Sequence, residues 1–506
     1  MFEGILIGLQ TAFTPTNLLM VSLGCFAGTL IGMLPGLGPV SAIALMIPIT
    51  YGLDPSSGMI LMAGVYYGAI FGGSTSAILI NAPGVSGAVA TAFDGHPMAQ
   101  SGKGGKALAI AAYCSFFGGS VGALFLFIFV PVLAQLSLSF QSSDYFALMV
   151  FGCTAVAAFS GKGQILKAIS MTLLGLMLAT VGEDSSGIQR FTFEITDLYD
   201  GISFLLLSMA SFALAEALMV VLGGKNKTEQ EVCSGSLTGS NSMKISRAEV
   251  RELAPVAGRS SVLGFLVGIL PGAGATIASF LAYATERNLA PADKRAEFGR
   301  GSIRGLAAPE TANNAASTGS FVPLLTLGIP GSATTAVMLG ALLSYGVQPG
   351  PRLYIDHPEI FWSVIISMYI GNLLLLVLNL PLIPYIAKLL DIPRRLLTPI
   401  IIFFSLMGVY LVSFNVFDLT LMILFALIAV VLRILDYPMA PLLLGFILGD
   451  MMEDNLRRAL LIWDNSVEFL WQRPMTGGII LAAIFIVFVP MIGQLREFLR
   501  GRKKQF

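Results

Sequence analysis

The chain has 506 residues, 55% of them hydrophobic and only 11% charged, with 29 basic side chains balanced by 29 acidic ones. A mean hydropathy of +0.82 excludes a water-soluble globular protein. The composition describes an all-α polytopic integral membrane protein.

The amino terminus, Met1-Phe2-Glu3, lacks the basic region of a cleaved signal peptide, and no Lys or Arg precedes Lys103, so the first segment is expected to start outside. Apolar runs occur at 17–34, 59–80, 107–133, 145–159, 165–181 and 202–222, and after a polar gap at 260–283, 321–343, 361–389, 399–414, 419–435, 440–448 and 478–492. Most approach the roughly 17 to 25 residues that span a bilayer core. They predict about twelve membrane segments, several of them half-helices or re-entrant hairpins. The polar gap, 223–255, carries Lys225, Lys227, Lys244, Arg247 and Arg251 among Gly, Ser and Thr, and reads as a flexible cytoplasmic linker. The basic tail, with Arg496, Arg500, Arg502, Lys503 and Lys504, is expected on the same side.

One stretch occurs twice. Residues 28–40 and 268–280 both contain Gly-x-Leu-Pro-Gly-x-Gly, with Pro35 matching Pro271 at 271 − 35 = 236. Pro and Gly inside apolar runs free backbone groups that lipid cannot satisfy, so such breaks belong where protein, water or a ligand meets them. Matching breaks in two halves of a membrane protein point to a transport site. The likeness continues: GAIFGGSTSA at 68–77 aligns with GLAAPETANN at 305–314, setting Ser74 opposite Thr311 and Ser76 opposite Asn313. NAPG at 81–84 then aligns with GIPG at 328–331, the offset having grown from 237 to 247, and FALAE at 212–216 aligns with FILGD at 446–450. The chain therefore divides into an N-terminal segment (1–16), a first repeat (17–222), the linker (223–252), a second repeat (253–458), and a terminal helix with its basic tail (459–506). If linker and tail are both inside, the second repeat crosses an odd number of times and the two repeats are inverted. Arg457, Arg458 and Arg473 would then lie outside, against the charge rule.

Two opposed hairpins with Pro-Gly tips make an anion site, because each helix amino terminus offers unpaired N–H groups and about half a positive charge. Unwound carbonyls beside them suit a hard cation such as sodium. The candidate substrate-binding residues are Pro35, Gly36, Leu37, Gly38, Ser74, Thr75, Ser76, Asn81, Pro83 and Gly84 in the first half. In the second half they are Pro271, Gly272, Ala273, Gly274, Thr311, Asn313, Asn314, Pro330, Gly331 and Ser332, with Ser317, Thr334 and Thr335 as further donors. Coupling-ion candidates are Gly36, Gly272, Glu310 and Asn314; Glu310 reads equally as a capping carboxylate. Glu216 and Asp450 are acids on apolar helices, suited to transport or to an interface. Arg433 and Asp436, three apart, read as a supporting pair, and Trp362, Trp463 and Trp471 as lipid-facing or interfacial. Cys25, Cys114, Cys153 and Cys233 have no paired spacing, and His96 and His357 have no neighbour at metal-ligand spacing.

These motifs carry a family resemblance. GMLPGLGP, GGSTSAILINAPG, GILPGAGATIASFLAYATERN and APETANNAASTGSFVPLLTLGIPGSATTAVMLGAL resemble the large permease subunit of the tripartite tricarboxylate transporter family, the TctA type, over about residues 28–342. The resemblance implies a multi-pass carrier of the bacterial inner membrane, importing citrate-like carboxylates with sodium. It also implies two partners, a small four-helix membrane subunit and a periplasmic solute-binding protein; a homodimer of the permease is left open, and no nucleic acid or catalytic cofactor is implied. A channel would present a pore-lining ring, an intramembrane enzyme a nucleophile with its base, and an ATP-driven pump a phosphate-binding loop; none is legible. A membrane scaffold without a substrate site is the remaining alternative. Paired re-entrant hairpins favour alternating access by an elevator motion over rocking.

Overall fold

A computed structural model describes residues 2–34, 37–159, 164–184, 186–222, 243–382 and 394–502. Among them, secondary structure is helical apart from one two-residue hairpin, in which Gly182–Glu183 pairs antiparallel with Gln189–Arg190. Seven described helices are long and apolar enough to cross a membrane, and six shorter apolar helices accompany them.

The first half comprises α1 (Phe2–Ala12), α2 (Pro15–Met33), α3 (Gly38–Thr50), α4 (Pro55–Ile80), α5 (Val89–Met98), α6 (Gly104–Ser137), α7 (Ser142–Phe159), α8 (Ile165–Ala179), α9 (Phe204–Ser208) and α10 (Ala215–Leu222). The second comprises α11 (Arg247–Ile269), α12 (Gly274–Leu289), α13 (Ala292–Arg295), α14 (Ile303–Gly319), α15 (Phe321–Leu327), α16 (Ala333–Ser344), α17 (Leu353–Asp356) and α18 (Pro358–Asn379), followed by helices Arg394–Ser413, Val416–Ile434 and Ala440–Ile462. Phe469–Gln472 and Pro474–Arg502 close the chain. Local chemistry sets the starts. Thr14 caps α2 with Pro15 in its first turn, the Asp54 carboxylate accepts the Ser56 N–H ahead of α4, and Ser246 and Ser332 open α11 and α16 with reciprocal capping boxes.

α4 and α14 form the centre, each buried along almost its whole length. α2 packs along α4, and α11 along α14. Both pairs touch backbone to backbone: a Cβ at Gly28 would lie 2.3 Å from the Val65 carbonyl oxygen, and one at Gly268 would lie 2.2 Å from that of Ala316. Only small residues permit that approach. A π-helical turn, Met209–Leu214, joins α9 to α10 and frees carbonyls that side chains take up: Ser41 Oγ donates to Phe212 O at 3.2 Å and Arg433 to Ser211 O at 2.8 Å.

Several expectations are corrected here. Trp362 is not at a lipid interface; it is 0% exposed, seated against Gly4 and Gly8 of α1 and edge-on to Phe127 and Phe361, because α1 covers α18. Trp471, at 65% exposure, does lie on the surface. Arg433 pairs with Glu216 rather than Asp436, whose backbone has already turned left-handed (φ 58°) beyond the helix end. Arg457 is paired with Asp184 and Glu453, and Arg473 with Asp144. Cys25, Cys114 and Cys153 are buried free thiols; Cys233 and most of the linker lie outside the described residues.

Candidate functional site

Both apolar hairpins are broken at the expected place. α2 stops at Met33, Leu34 is extended (φ −81°, ψ 112°), and α3 restarts at Gly38 with φ 63°. α11 stops at Ile269, Leu270 is extended (φ −73°, ψ 120°), and α12 restarts at Gly274 with φ 58°. Leu37 and Ala273, just before the restarts, are both αR. Pro35 and Gly36 lie outside the described residues; their counterparts Pro271 and Gly272 are described, Gly272 at φ 80°. A left-handed residue there favours glycine.

A second break faces each tip. α4 ends at Asn81, left-handed at φ 50°, and α15 ends at Gly328, left-handed at φ 69°. Pro83-Gly84 and Pro330-Gly331 follow. Gly272 N–H donates to Gly331 O at 3.0 Å, the Gly38 Cβ position faces Gly84 O at 3.9 Å, and Ser76 Oγ accepts the Gly84 N–H at 3.1 Å. Each tip therefore rests on the Pro-Gly segment of its own half.

The halves then interlock. α3 packs on α16, and α12 packs on the 3-10 turn Ser86–Ala88 that opens α5. Ser86 Oγ meets Thr276 Oγ1 at 2.7 Å, Asn313 Nδ2 donates to Gly87 O at 3.5 Å, and Tyr66 Oη meets Ser332 Oγ at 3.4 Å. Four helix starts, at Gly38, Ser86, Gly274 and Ala333, are thus assembled from two broken hairpins and two Pro-Gly turns. Their N–H groups and dipoles sum to a positive field without any Lys or Arg.

Glu310 lies beside this assembly on α14, with 0% exposure. Ser74 Oγ of α4 is 2.8 Å from both carboxyl oxygens, Ser115 Oγ of α6 donates to Oε2 at 2.9 Å, and Thr91 Oγ1 of α5 donates to Oε1. All three donors belong to the first half and the acid to the second. Hydrogen bonds to a charged group supply about 1.5–3 kcal/mol each, while an unpaired buried ion costs several kcal/mol even after relaxation. Three hydroxyls and the Asn313 amide leave the balance close, so this acid is sensitive to a neighbouring positive charge.

The remaining candidates are placed as follows. Thr75 lines a small cavity beside Ser74. Thr311 and Ser317 hydroxyls bond the preceding helical turn, at Ala307 O and Asn313 O. Asn314 Nδ2 donates to Glu310 O at 3.0 Å and to Asn313 Oδ1 at 2.8 Å. Ser332 and Thr335 are engaged in the cap of α16, and Thr334 is buried beside them. The alignment of Ser74 with Thr311 is corrected by packing. Gly72 approaches Thr29 O as Gly319 approaches Phe265 O, and while 265 − 29 = 236, 319 − 72 = 247. The inserted residues therefore precede the polar helix, in the loop 290–302, where only 51–54 stands in the first half. Ser74 and Glu310 do not match each other; they touch. Sequence reasoning missed Thr91, Ser115, Tyr66 and Asp94, whose Oδ1 accepts N–H groups of Gly299, Gly301 and Ser302 at 2.8, 2.9 and 2.8 Å. No local pattern marks them.

Comparison with known proteins agrees with the motifs. Residues 18–444 match the family model described as "Tripartite tricarboxylate transporter TctA family". An uncharacterized 52.8 kDa protein in the TAR-I ttuC′ 3′ region of Agrobacterium vitis is 41% identical over 495 residues, covering 97% of each chain. An uncharacterized protein in the TAR-II ttuC′ 3′ region of the same organism is 43% identical over 237 residues, 46% of this chain and 97% of that protein. No solved structure matches the chain.

Proposed function

The chain belongs to the tripartite tricarboxylate transporter TctA family, a transporter family whose members are the large subunits of systems with a small membrane partner and a periplasmic binding partner, and from that premise we propose that it imports small di- or tricarboxylates, citrate-like in charge, across the bacterial inner membrane. The observation that carries the reading is the meeting of four helix starts at two left-handed glycine breaks, Gly38 and Gly274. A carboxylate losing its water needs several donors at once, and backbone N–H groups at helix starts provide them with favourable charge.

The periplasmic protein delivers the carboxylate, which binds between the segments 37–38, 83–84, 271–274 and 330–332. Sodium binds beside it and drives uptake by alternating access, an elevator in which the hairpins and their Pro-Gly turns move as a unit. Inverted repeats fit this motion. Their support is the pairing of Arg457, near the end of Ala440–Ile462, with Asp184, in the loop before α9. The α9–α10 run ends at the linker, on the opposite face, so matching helices of the two halves end on opposite sides.

The test is uptake in proteoliposomes holding all three subunits, screened with di- and tricarboxylates. Saturable uptake that collapses without a sodium gradient is expected; uptake that rises linearly with concentration and ignores the gradient would indicate a pore and sink the proposal.

A further inference from the structure

A cavity of about 10 Å³ lies behind Glu310, bounded by Ser74, Thr75, Ser115 and Asn379 and walled by Phe71 and Leu108. It has room for one water molecule or one small ion. Its oxygens are what the lining leaves unused. Ser74 and Ser115 commit their hydroxyl protons to Glu310, so their lone pairs are what remains. Asn379, 3% exposed, donates its amide to Leu375 O at 2.9 Å, and its Oδ1 has no hydrogen-bond partner. The second Asn379 amide proton and the Thr75 hydroxyl are the donors left over, so what the cavity offers is three convergent oxygens, one of them without any partner. A cation needs only oxygen.

Charge points the same way. The described ion pairs include none with Glu310. A monovalent cation one hydroxyl away from the carboxylate would neutralise it, while the carboxylate, acting through Ser74 and Ser115, would make their oxygens better ligands. We infer that this cavity is a sodium site, with Asn379, Ser74 and Ser115 as ligands and Glu310 as the charge behind them.

The inference rests on the sodium-coupled reading above and moves the ion from the hairpin carbonyls to the seam between the halves. Because Glu310 comes from the second half and both hydroxyls come from the first, an ion there stabilises one mutual arrangement of the two.

The test needs no transport: thermal unfolding of the purified full-length permease, without carboxylate, titrated with sodium chloride against choline chloride. Sodium is expected to raise the unfolding temperature saturably. Glu310→Gln should shift the half-saturating concentration upward about 10- to 100-fold, the range for a group behind a metal ligand, and Asn379→Leu should remove the response. Asn379→Asp, which keeps an oxygen, should retain it and separates lost ligation from misfolding. An unchanged sodium response in both Glu310→Gln and Asn379→Leu overturns the location. Stabilisation of the wild type that follows pH, is indifferent to sodium and vanishes in Glu310→Gln overturns the ion, making the cavity a water site beside a protonated acid. Failure of carboxylate uptake with this response intact would count against the transport reading alone.

Discussion

The two halves of the molecule carry the same backbone device and different side chains. In each, an apolar helix stops at an extended Leu, restarts at a left-handed Gly, and rests its tip on a Pro-Gly turn that follows a second left-handed residue. The polar content is divided. The first half contributes the hydroxyls of Ser74, Thr91 and Ser115, and the second contributes the carboxylate of Glu310. The second half also has a longer loop, 290–302, and an ionic cluster in which Glu286 accepts from Arg259 and Arg304. The difference teaches that the backbone breaks recur where Gly38 and Gly274 permit a left-handed restart, while the side chains at the seam differ, donors in one half and an acceptor in the other.

The largest effect should come from breaking the shared device. At Gly272 a Cβ would lie 2.5 Å from Val156 Cα, on a residue held at φ 80°. Gly272→Val is therefore expected to abolish carboxylate uptake, with membrane insertion followed separately by expression in the membrane fraction. Gly36→Val should do the same if the halves are functionally alike; normal uptake by both variants would remove the site.

Next comes the asymmetry. Asp94→Ala strips three backbone N–H groups in the loop before α14 of their acceptor. Of the three only the Ser302 N–H is buried, and at about 1–3 kcal/mol for a buried donor left unmade a fall in unfolding temperature is expected. The four-residue loop of the first half, 51–54, has no such latch to lose, so Asp54→Ala, which gives up one cap bond to Ser56 N–H, should cost only about 1 kcal/mol.

Arg473→Ala sharpens the link between the terminal helix and the first half. It leaves the fully buried Asp144 without its cation, at a cost of about 3 kcal/mol, the low end for removing one partner of a buried pair. A double-mutant cycle with Asp144→Asn would measure the coupling.

The smallest effect concerns pH. In the loop between α8 and α9, the Ile188 N–H, the Ser186 N–H and the Arg457 guanidinium hold the Asp184 carboxyl below its usual range. A depressed folded-state value stabilises above the unfolded carboxylate range and loses that contribution as pH falls through the folded value. Asp184→Asn should lower the unfolding temperature slightly at neutral pH and leave strongly acid pH little changed, so that the acid side of the profile flattens.

Much of this was legible in the chain itself, and the reason is local. Composition alone decides between lipid and water as solvent, and the recurrence of Gly-x-Leu-Pro-Gly-x-Gly inside two apolar runs marked where a helix would break. Periodic spacing could not say where an insertion lay, so Ser74 was set against Thr311, and only the approach of Gly72 and Gly319 to their neighbouring helices restored the register. Nor could it foresee that Trp362 would be covered by α1, or that Arg433 would reach Glu216 instead of Asp436.

Backbone conformation is dictated by the residue that adopts it, so the interrupted hairpins were determined by sequence. Which hydroxyl meets which carboxylate depends on residues hundreds of positions apart: Ser74, Thr91 and Ser115 converge on Glu310 only because helices α4, α5 and α6 pack around α14. Only the tertiary structure decided that, because a hydrogen bond acts over about 3 Å and carries no trace along the chain.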